Sequence, residues 1–177
     1  MNHRVLKIGN QRILQMDTKH VSTVQIDAAV ITVSSTRTQE NDTSGRAICE
    51  IFQHAGIRVN HYSIVPDQIE LIRAEVYHSL KKSNCIVING GTGLTHDDCT
   101  IEAVLPLLEK KIDGFGELFR IKSYQEIGTS SMLSRALAGI CHRKAVFCIP
   151  GSTPAVTLAT TELIIPEIAH ILTHANK

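Results

Sequence analysis

The chain has no tryptophan, and its aromatic residues are limited to four phenylalanines and three tyrosines. A flat-ringed ligand would find few side chains to stack on, so backbone and polar groups must hold it. Charge excess is missing too: 18 Lys and Arg against 17 Asp and Glu leave a formal net charge of +1, with no basic run. Nucleic acids and anionic membranes need a concentrated positive face, so neither is expected as a partner. No apolar run is expected to reach the length of a membrane span, and the opening Met1 to Lys7 lacks a signal peptide's apolar core. A cytoplasmic protein is expected. The five cysteines, Cys49, Cys85, Cys99, Cys141 and Cys148, are odd in number and form no Cys-x-x-Cys pair. That removes a disulfide framework and a zinc knuckle, and leaves reduced, mostly buried thiols.

What is present centres on residues 84–106. An apolar run from Cys85 to Ile88 reads as a buried strand, Gly90, Gly91 and Gly93 break the ladder, and a helical pattern starts near Thr100. Strand, glycine loop and helix in that order favour an anion, because backbone N–H groups can converge and a helix N-terminus follows. Phosphate is the expected guest. No Lys-Ser/Thr pair closes a Walker loop and no third glycine completes Gly-x-Gly-x-x-Gly, so generic ATPase and dehydrogenase readings lose support. The loop instead carries Asp97 and Asp98. Acids beside phosphate repel it unless a divalent cation lies between, which points to phosphate with Mg²⁺; the competing reading makes Asp98 only a helix cap.

Residues 1–27 show no clear period and read as an N-terminal arm before a single domain over 28–177. The β-branched run at 28–33 is a strand followed by the polar loop 34–38. Asp42 or Thr43 can cap a helix with Ile48, Ile51, Phe52 and Ala55 on one face, ended by Gly56. A strand over 58–65 precedes a helix from Pro66 to about Lys82, with Asp67 and Glu70 at capping-box spacing. Pro106 should break the helix that starts near Thr100, and Gly114 and Gly116 a further one before 117–127. Ser130 or Ser131 should cap a helical stretch to Leu137, terminated by Gly139. Residues 144–149 form a strand ending in the turn Pro150-Gly151-Ser152, and Pro154 opens a last helix kinked at Pro166. The alternation predicts an α/β three-layer domain with a mostly parallel sheet and helices on both faces.

In such a sheet, ligands bind outside the strands' carboxyl ends. The loops 34–38, 90–98 and 150–152 and the turn at Asp67 should meet there. Asp67 and Asp98 could share one hydrated Mg²⁺ bridging phosphate oxygens, although each has a capping explanation. Arg37 and Arg135 could neutralise phosphates. His96 with Asp97, Asp98 and Cys99, and the pair His170 and His174, lack the partners of a metal site. No Gly-x-Ser-x-Gly elbow supports covalent catalysis, and no residue stands out to activate water for a hydrolase.

The ordered motifs Gly90-Gly91-Thr92-Gly93, 95–100 with Glu102-Ala103, Gly114-Phe115-Gly116-Glu117-x-Phe119-Arg120, Ser134-Arg135-Ala136-x-Ala138-Gly139 and Pro150-Gly151-Ser152 together resemble the MoaB/MogA family of molybdenum cofactor biosynthesis proteins. The resemblance covers about 28–170 and is closer to the MoaB branch. It implies a molybdopterin-binding domain and, in catalytic members, an adenylyltransferase that uses Mg²⁺ with ATP and molybdopterin as substrates and releases pyrophosphate. It carries the functional and metal-binding aspartates onto Asp67 and Asp98. Ligand contacts then fall to Ser34, Thr36, Gly90, Gly91, Thr92, Gly93, Ser134, Arg135, Pro150, Gly151 and Ser152. It also implies a homo-oligomer, trimer or hexamer, with molybdopterin synthase and metal-insertion proteins as partners. Two departures stand out: Asp97 replaces a frequent arginine, and Ser35 stands where an acid or amide is common. They open an alternative, a molybdopterin-binding or scaffold protein without turnover.

Overall fold

The structure is a computed structural model that describes residues 24–177. The arm expected over 1–27 therefore lies, up to residue 23, outside the described residues. Val24 and Ile26 pack against the core, and the first strand, β1, is Asp27–Val33.

The chain continues through α1 (Thr43–His54), β2 (Arg58–Val65), α2 (Ile69–Leu80), β3 (Cys85–Asn89) and α3 (Thr100–Val104), then β4 (Lys110–Lys111), α4 (Asp113–Ile127), β5 (Leu137–Cys141), β6 (Lys144–Ile149), α5 (Thr153–Ala159) and α6 (Ile165–Ala175). The six strands form one sheet in the order β2-β1-β3-β6-β5-β4. The first four are parallel, and β5 and β4 add an antiparallel edge. This is the expected three-layer arrangement with a mostly parallel sheet.

Alternation along the central strands sorts their side chains between two cores. Ala28, Val30, Cys85, Val87, Ala145 and Phe147 meet Ile48 and Phe52 of α1, Phe115 and Phe119 of α4, and Ile168 and Leu172 of α6. Ala29, Ile31, Val33, Ile86, Ile88 and Cys148 face the other way, onto Ile72, Val76 and Leu80 of α2 and Ala103 and Val104 of α3. Strands buried on both faces are apolar throughout, which is why their runs were visible in the sequence. Cys85, Cys141 and Cys148 are buried and Cys49 and Cys99 half-buried, all as free thiols. Burial pushes the Cys85 thiol up to about 12.

Several local expectations are corrected. The helix expected up to Leu137 is instead a 3₁₀ segment, Gly128–Leu133, followed by strand β5. Gly139 does not end a helix; it lets β5 approach β4, since a Cβ there would lie 2.4 Å from the Lys110 carbonyl oxygen. His142 and Arg143, at φ of 50° and 62°, form the two-residue turn from β5 into β6. Hairpins of this kind usually announce themselves with Asn-Gly or Asp-Gly, and this one carries neither.

Helix α4 starts at Asp113 and runs through Gly114 and Gly116 without a break. The irregularity expected at Pro166 lies just before it, as a π-helical turn at Thr160–Ile164, and Pro166 sits in the first turn of α6, where a missing N–H costs little. The continuous helical run Thr153–Ala175 is, by length and composition, long and apolar enough to cross a membrane. No run of that length was expected from the sequence. Its Val156, Ala159, Ile164, Ile168 and Leu172 are fully buried in the core on one sheet face.

Candidate functional site

The segments that follow β1, β2, β3 and β6 surround an open cleft of about 550 Å³ at the carboxyl edge of the sheet. β1 and β3 are neighbours, and the chain leaves β1 toward β2 on one side but returns to β3 on the other. The cleft therefore sits where strand order reverses, the usual crevice of an open α/β sheet. Ser34, Asp67, Gly90, Gly91, Thr92, Gly93, Asp98, Ser134, Arg135, Pro150, Gly151 and Ser152 all line it. Thr36 does not: it is exposed outside the lining, its hydroxyl 3.4 Å from that of Ser34. Val33, Arg37 and Leu133 complete the wall.

The glycine loop is shaped by its neighbours. Gly90 has φ +92°, and a Cβ on it would lie 2.3 Å from the Val33 carbonyl oxygen, so only glycine fits. The amide cradle is narrower than the sequence suggested. The Gly90 N–H donates to the Ile149 carbonyl at 3.1 Å and the first N–H of α3, at Thr100, to the Gly91 carbonyl at 2.9 Å, while the Gly93 N–H bonds Asp98.

Both capping explanations for the aspartates fail. α2 is capped at Gln68 with no side-chain bond, and α3 starts after Cys99, again with none. Asp67 turns toward the loop after β1, where its Oδ2 accepts from the amide and hydroxyl of Ser35, both at 2.8 Å. Its own N–H donates back to the Ser35 Oγ at 3.2 Å. Asp98 repeats the pattern with Thr95, whose amide and hydroxyl reach its Oδ2 at 2.9 Å and 2.6 Å. Both carboxylates flank the glycine loop: a Cβ built on Gly91 would lie 3.0 Å from Asp67 Oδ1, and one on Gly93 would lie 2.7 Å from Asp98 Oδ2. Partial desolvation opposes ionisation of Asp98. The Thr95 hydroxyl and amide, the Gly93 amide and the Arg135 charge outweigh it and hold the carboxyl below the usual range. Asp97 is outside the lining, its side chain turned to solvent 3.3 Å from His96.

Beneath the cleft lies a polar network of which the sequence singled out only Asp42, as a cap, and Arg37, as a phosphate partner. Asp42 caps α1 by accepting from the Gly45 amide at 3.0 Å. Being fully buried, it also takes bonds from Thr32 at 2.5 Å, Tyr62 at 2.7 Å and Ser44 at 3.1 Å, and pairs with Arg37 at 3.1 Å. Desolvation works against its charge, yet the bonds from Thr32, Tyr62, Gly45 and Ser44 prevail and its pKa is lowered. Asn89, buried at the end of β3, joins Thr32 and Ser44 at 2.9 Å each. The signal for this network was Asp42-Thr43-Ser44-Gly45, a polar run opening a helix, but no local pattern says which strand residues it meets. Among the described residues, no group of three or more His, Cys, Asp or Glu is arranged to hold a metal ion by itself.

Fold and cleft together define an α/β protein with an open, polar-lined cleft at its sheet's carboxyl edge. Residues 29–170 match the family described as "Probable molybdopterin binding domain". The molybdenum cofactor biosynthesis protein B of Bacillus cereus is 49% identical over 150 residues, 83% of this chain and 89% of that protein. A crystal structure of a molybdenum cofactor biosynthesis protein B superposes with a TM-score of 0.84 at 46% identity, covering 88% of this chain and 98% of that one. The tungsten cofactor synthesizing protein MoaB of Pyrococcus furiosus gives 0.81 at 37% identity, covering 88% and 100%. MogA, at 22% identity and a TM-score of 0.77 over 84% of this chain and 99% of its own, shares the fold. The chain belongs to the MoaB/MogA family of molybdenum cofactor biosynthesis proteins, on its MoaB branch.

Proposed function

We propose that the protein acts in molybdenum cofactor biosynthesis, in the cytosol, as a Mg²⁺-dependent molybdopterin adenylyltransferase. The observation that carries this reading is the meeting of Asp67 and Asp98 on one cleft, each oriented by neutral hydrogen-bond donors. Neither takes part in an ion pair with lysine or arginine among the described residues. Two such carboxylates suit Mg²⁺, a hard cation that takes one or two protein carboxylates and completes its shell with water and substrate phosphates. When bound, Mg²⁺ would neutralise charge on the phosphate oxygens. The need for it is plain, because Asp42 and Glu102 already offset the two arginines of the cleft.

In the reaction an oxygen of molybdopterin's terminal phosphate attacks the α-phosphorus of ATP. The bond from that phosphorus to the bridging oxygen breaks, and pyrophosphate leaves with the electron pair. A phosphate monoester is already anionic, so no strong general base is required. The chain contributes position: Asp67 and Asp98 would hold the cation, and the glycine loop, Ser134 and the 150–152 turn shape the walls that would align the two anions. A homo-oligomer, trimer or hexamer, is part of the proposal. It is supported by α4, where Leu118, Ile121, Tyr124 and Ile127 are each more than half exposed. The product would pass to a metal-insertion protein. Incubation with ATP, MgCl₂ and molybdopterin tests the reading, with equimolar pyrophosphate and adenylyl-molybdopterin expected. A preparation that binds molybdopterin but releases no pyrophosphate would sink the transferase and leave a binding protein.

A further inference from the structure

Arg37 and Arg135 both line the cleft, and each brings a positive charge that a phosphate could meet. Both guanidinium groups are already engaged, and in the same pattern. Arg37 uses Nη1 on Asp42 Oδ1 at 3.1 Å and on the Ser44 hydroxyl, and Nη2 on the Gly151 carbonyl at 3.0 Å. Arg135 uses Nη1 and Nη2 on the two carboxylate oxygens of Glu102, and Nε on the Thr92 carbonyl at 2.8 Å. Each arginine thus joins an acid on a helix to a backbone carbonyl in a wall of the cleft. The acids differ in setting: Asp42 is fully buried at the start of α1, whereas Glu102 is exposed on α3 and is met there by both Nη atoms of Arg135. The two carbonyls belong to adjoining backbones, since a Cβ on Gly151 would lie 2.9 Å from the Gly90 Cα.

We propose that Arg37 and Arg135 are positioning residues that clamp the 150–152 turn and the glycine loop at the spacing that forms the cleft, and are not receptors for a ligand's phosphate. This rests on the cleft being the ligand site. A planar guanidinium with five N–H donors spans an acid and a carbonyl at once, which a lysine ammonium on a flexible stem does not reproduce. The charge serves to anchor the fork on its acid; a further N–H holds the wall.

The clamp and the receptor predict opposite signs for Glu102→Gln. A receptor would be released from its acid and bind a polyphosphate more tightly. A clamp would lose its anchor and bind it more weakly. Mg-ATP is the probe, titrated calorimetrically into wild type, Glu102→Gln, Arg135→Lys and Arg37→Lys. Each variant should bind on the order of tenfold more weakly, as expected for loss of a charge-assisted hydrogen bond. Amide hydrogen exchange, which needs no ligand, should quicken at 89–95 in Arg135→Lys and at 150–153 in Arg37→Lys, while the rest of the sheet keeps wild-type protection. Tighter Mg-ATP binding by Glu102→Gln, or wild-type exchange at both segments in the lysine variants, overturns the clamp. If wild type itself binds no Mg-ATP, the transferase reading fails, and the exchange data still decide the clamp.

Discussion

Asp42 and Asp98 both lie next to the start of a helix, and the carboxyl of each titrates below the usual range, yet they belong to regions with opposite requirements. In the network beneath the cleft both oxygens of Asp42 are engaged: Oδ1 by Arg37, Ser44 and the Gly45 amide, Oδ2 by Thr32 and Tyr62. On the cleft wall Asp98 is half-buried and forms no ion pair among the described residues, with Thr95 on its Oδ2, the Gly93 amide beside it and Arg135 acting only through its charge, and Asp67 is held through Oδ2 by Ser35. A buried acid with both oxygens bonded and an arginine paired to it organises the backbone around it, whereas a more exposed one in no ion pair keeps its charge open to the cleft. A low pKa alone does not separate the two, because hydrogen bonds to the charged form lower it in either setting. Burial and ion pairing do.

The largest effect should come from the buried side. Asp42→Ala leaves Thr32, Tyr62 and Arg37 without their acceptor and should cost about 3–5 kcal/mol in urea unfolding, the range for breaking a buried charge pair. Asp42→Asn tests the charge itself. The folded pKa lies below the ordinary value of 3.8, so the stability carried by the charge is fully present above that value and fades as pH falls through the lower folded one. An asparagine there should flatten that part of the acid-unfolding profile, and an unchanged profile would break the contrast. On the cleft side, Asp98→Asn should lower the rate of pyrophosphate release by about a hundredfold or more, with the unfolding midpoint close to wild type. If Asp98→Asn unfolds the protein as Asp42→Ala does, the two regions are not distinct.

Smaller effects sharpen the picture. Ser35→Ala removes one of the donors that orient Asp67 and should raise the Mg²⁺ concentration for half-maximal rate by about tenfold, as for other groups that orient a metal ligand. Ser35→Thr keeps the hydroxyl and should restore much of it. The smallest change is expected for Asp97→Arg. A frequent arginine at this position made Asp97 a suspect in the sequence, but its side chain lies in solvent outside the cleft lining. Mg-ATP affinity should shift by less than about twofold at physiological salt, where exposed charges are screened. A larger gain would show that this loop closes over the ligand.

The parts legible in the sequence were those with a local cause. Buried parallel strands read as continuous apolar runs, so 28–33, 85–88 and 144–149 were found almost to the residue. Gly90 and Gly91 marked the loop after β3, because at φ of 92° and 59° a side chain is strained there. The antiparallel edge was not legible. Residues 134–139 have helix-compatible spacing, and β5 exists because β6 on one side and β4 on the other give its backbone partners, with Gly139 allowing the approach to Lys110. Asp67 was found as a candidate acid, but its capping-box spacing to Glu70 suggested a local role that the Ser35 amide and hydroxyl, 32 residues earlier, displace. Thr36 was named with its loop, yet only the turn of that loop decides which hydroxyl faces the cleft.

Periodicity and the steric rules of single residues were enough to write out the parallel part of the sheet and to mark the turns that line the cleft, because those are properties of neighbours along the chain. For Asp42 and Asp67 the role was decided by contacts between distant segments. Asp42, Asp67 and Asp98 look alike as letters, yet folding brings Tyr62 and Thr32 to the first and Ser35 to the second, while Thr95 reaches the third from only three residues away. A carboxylate's role depends on its burial and its ion pairing, and both are set in three dimensions.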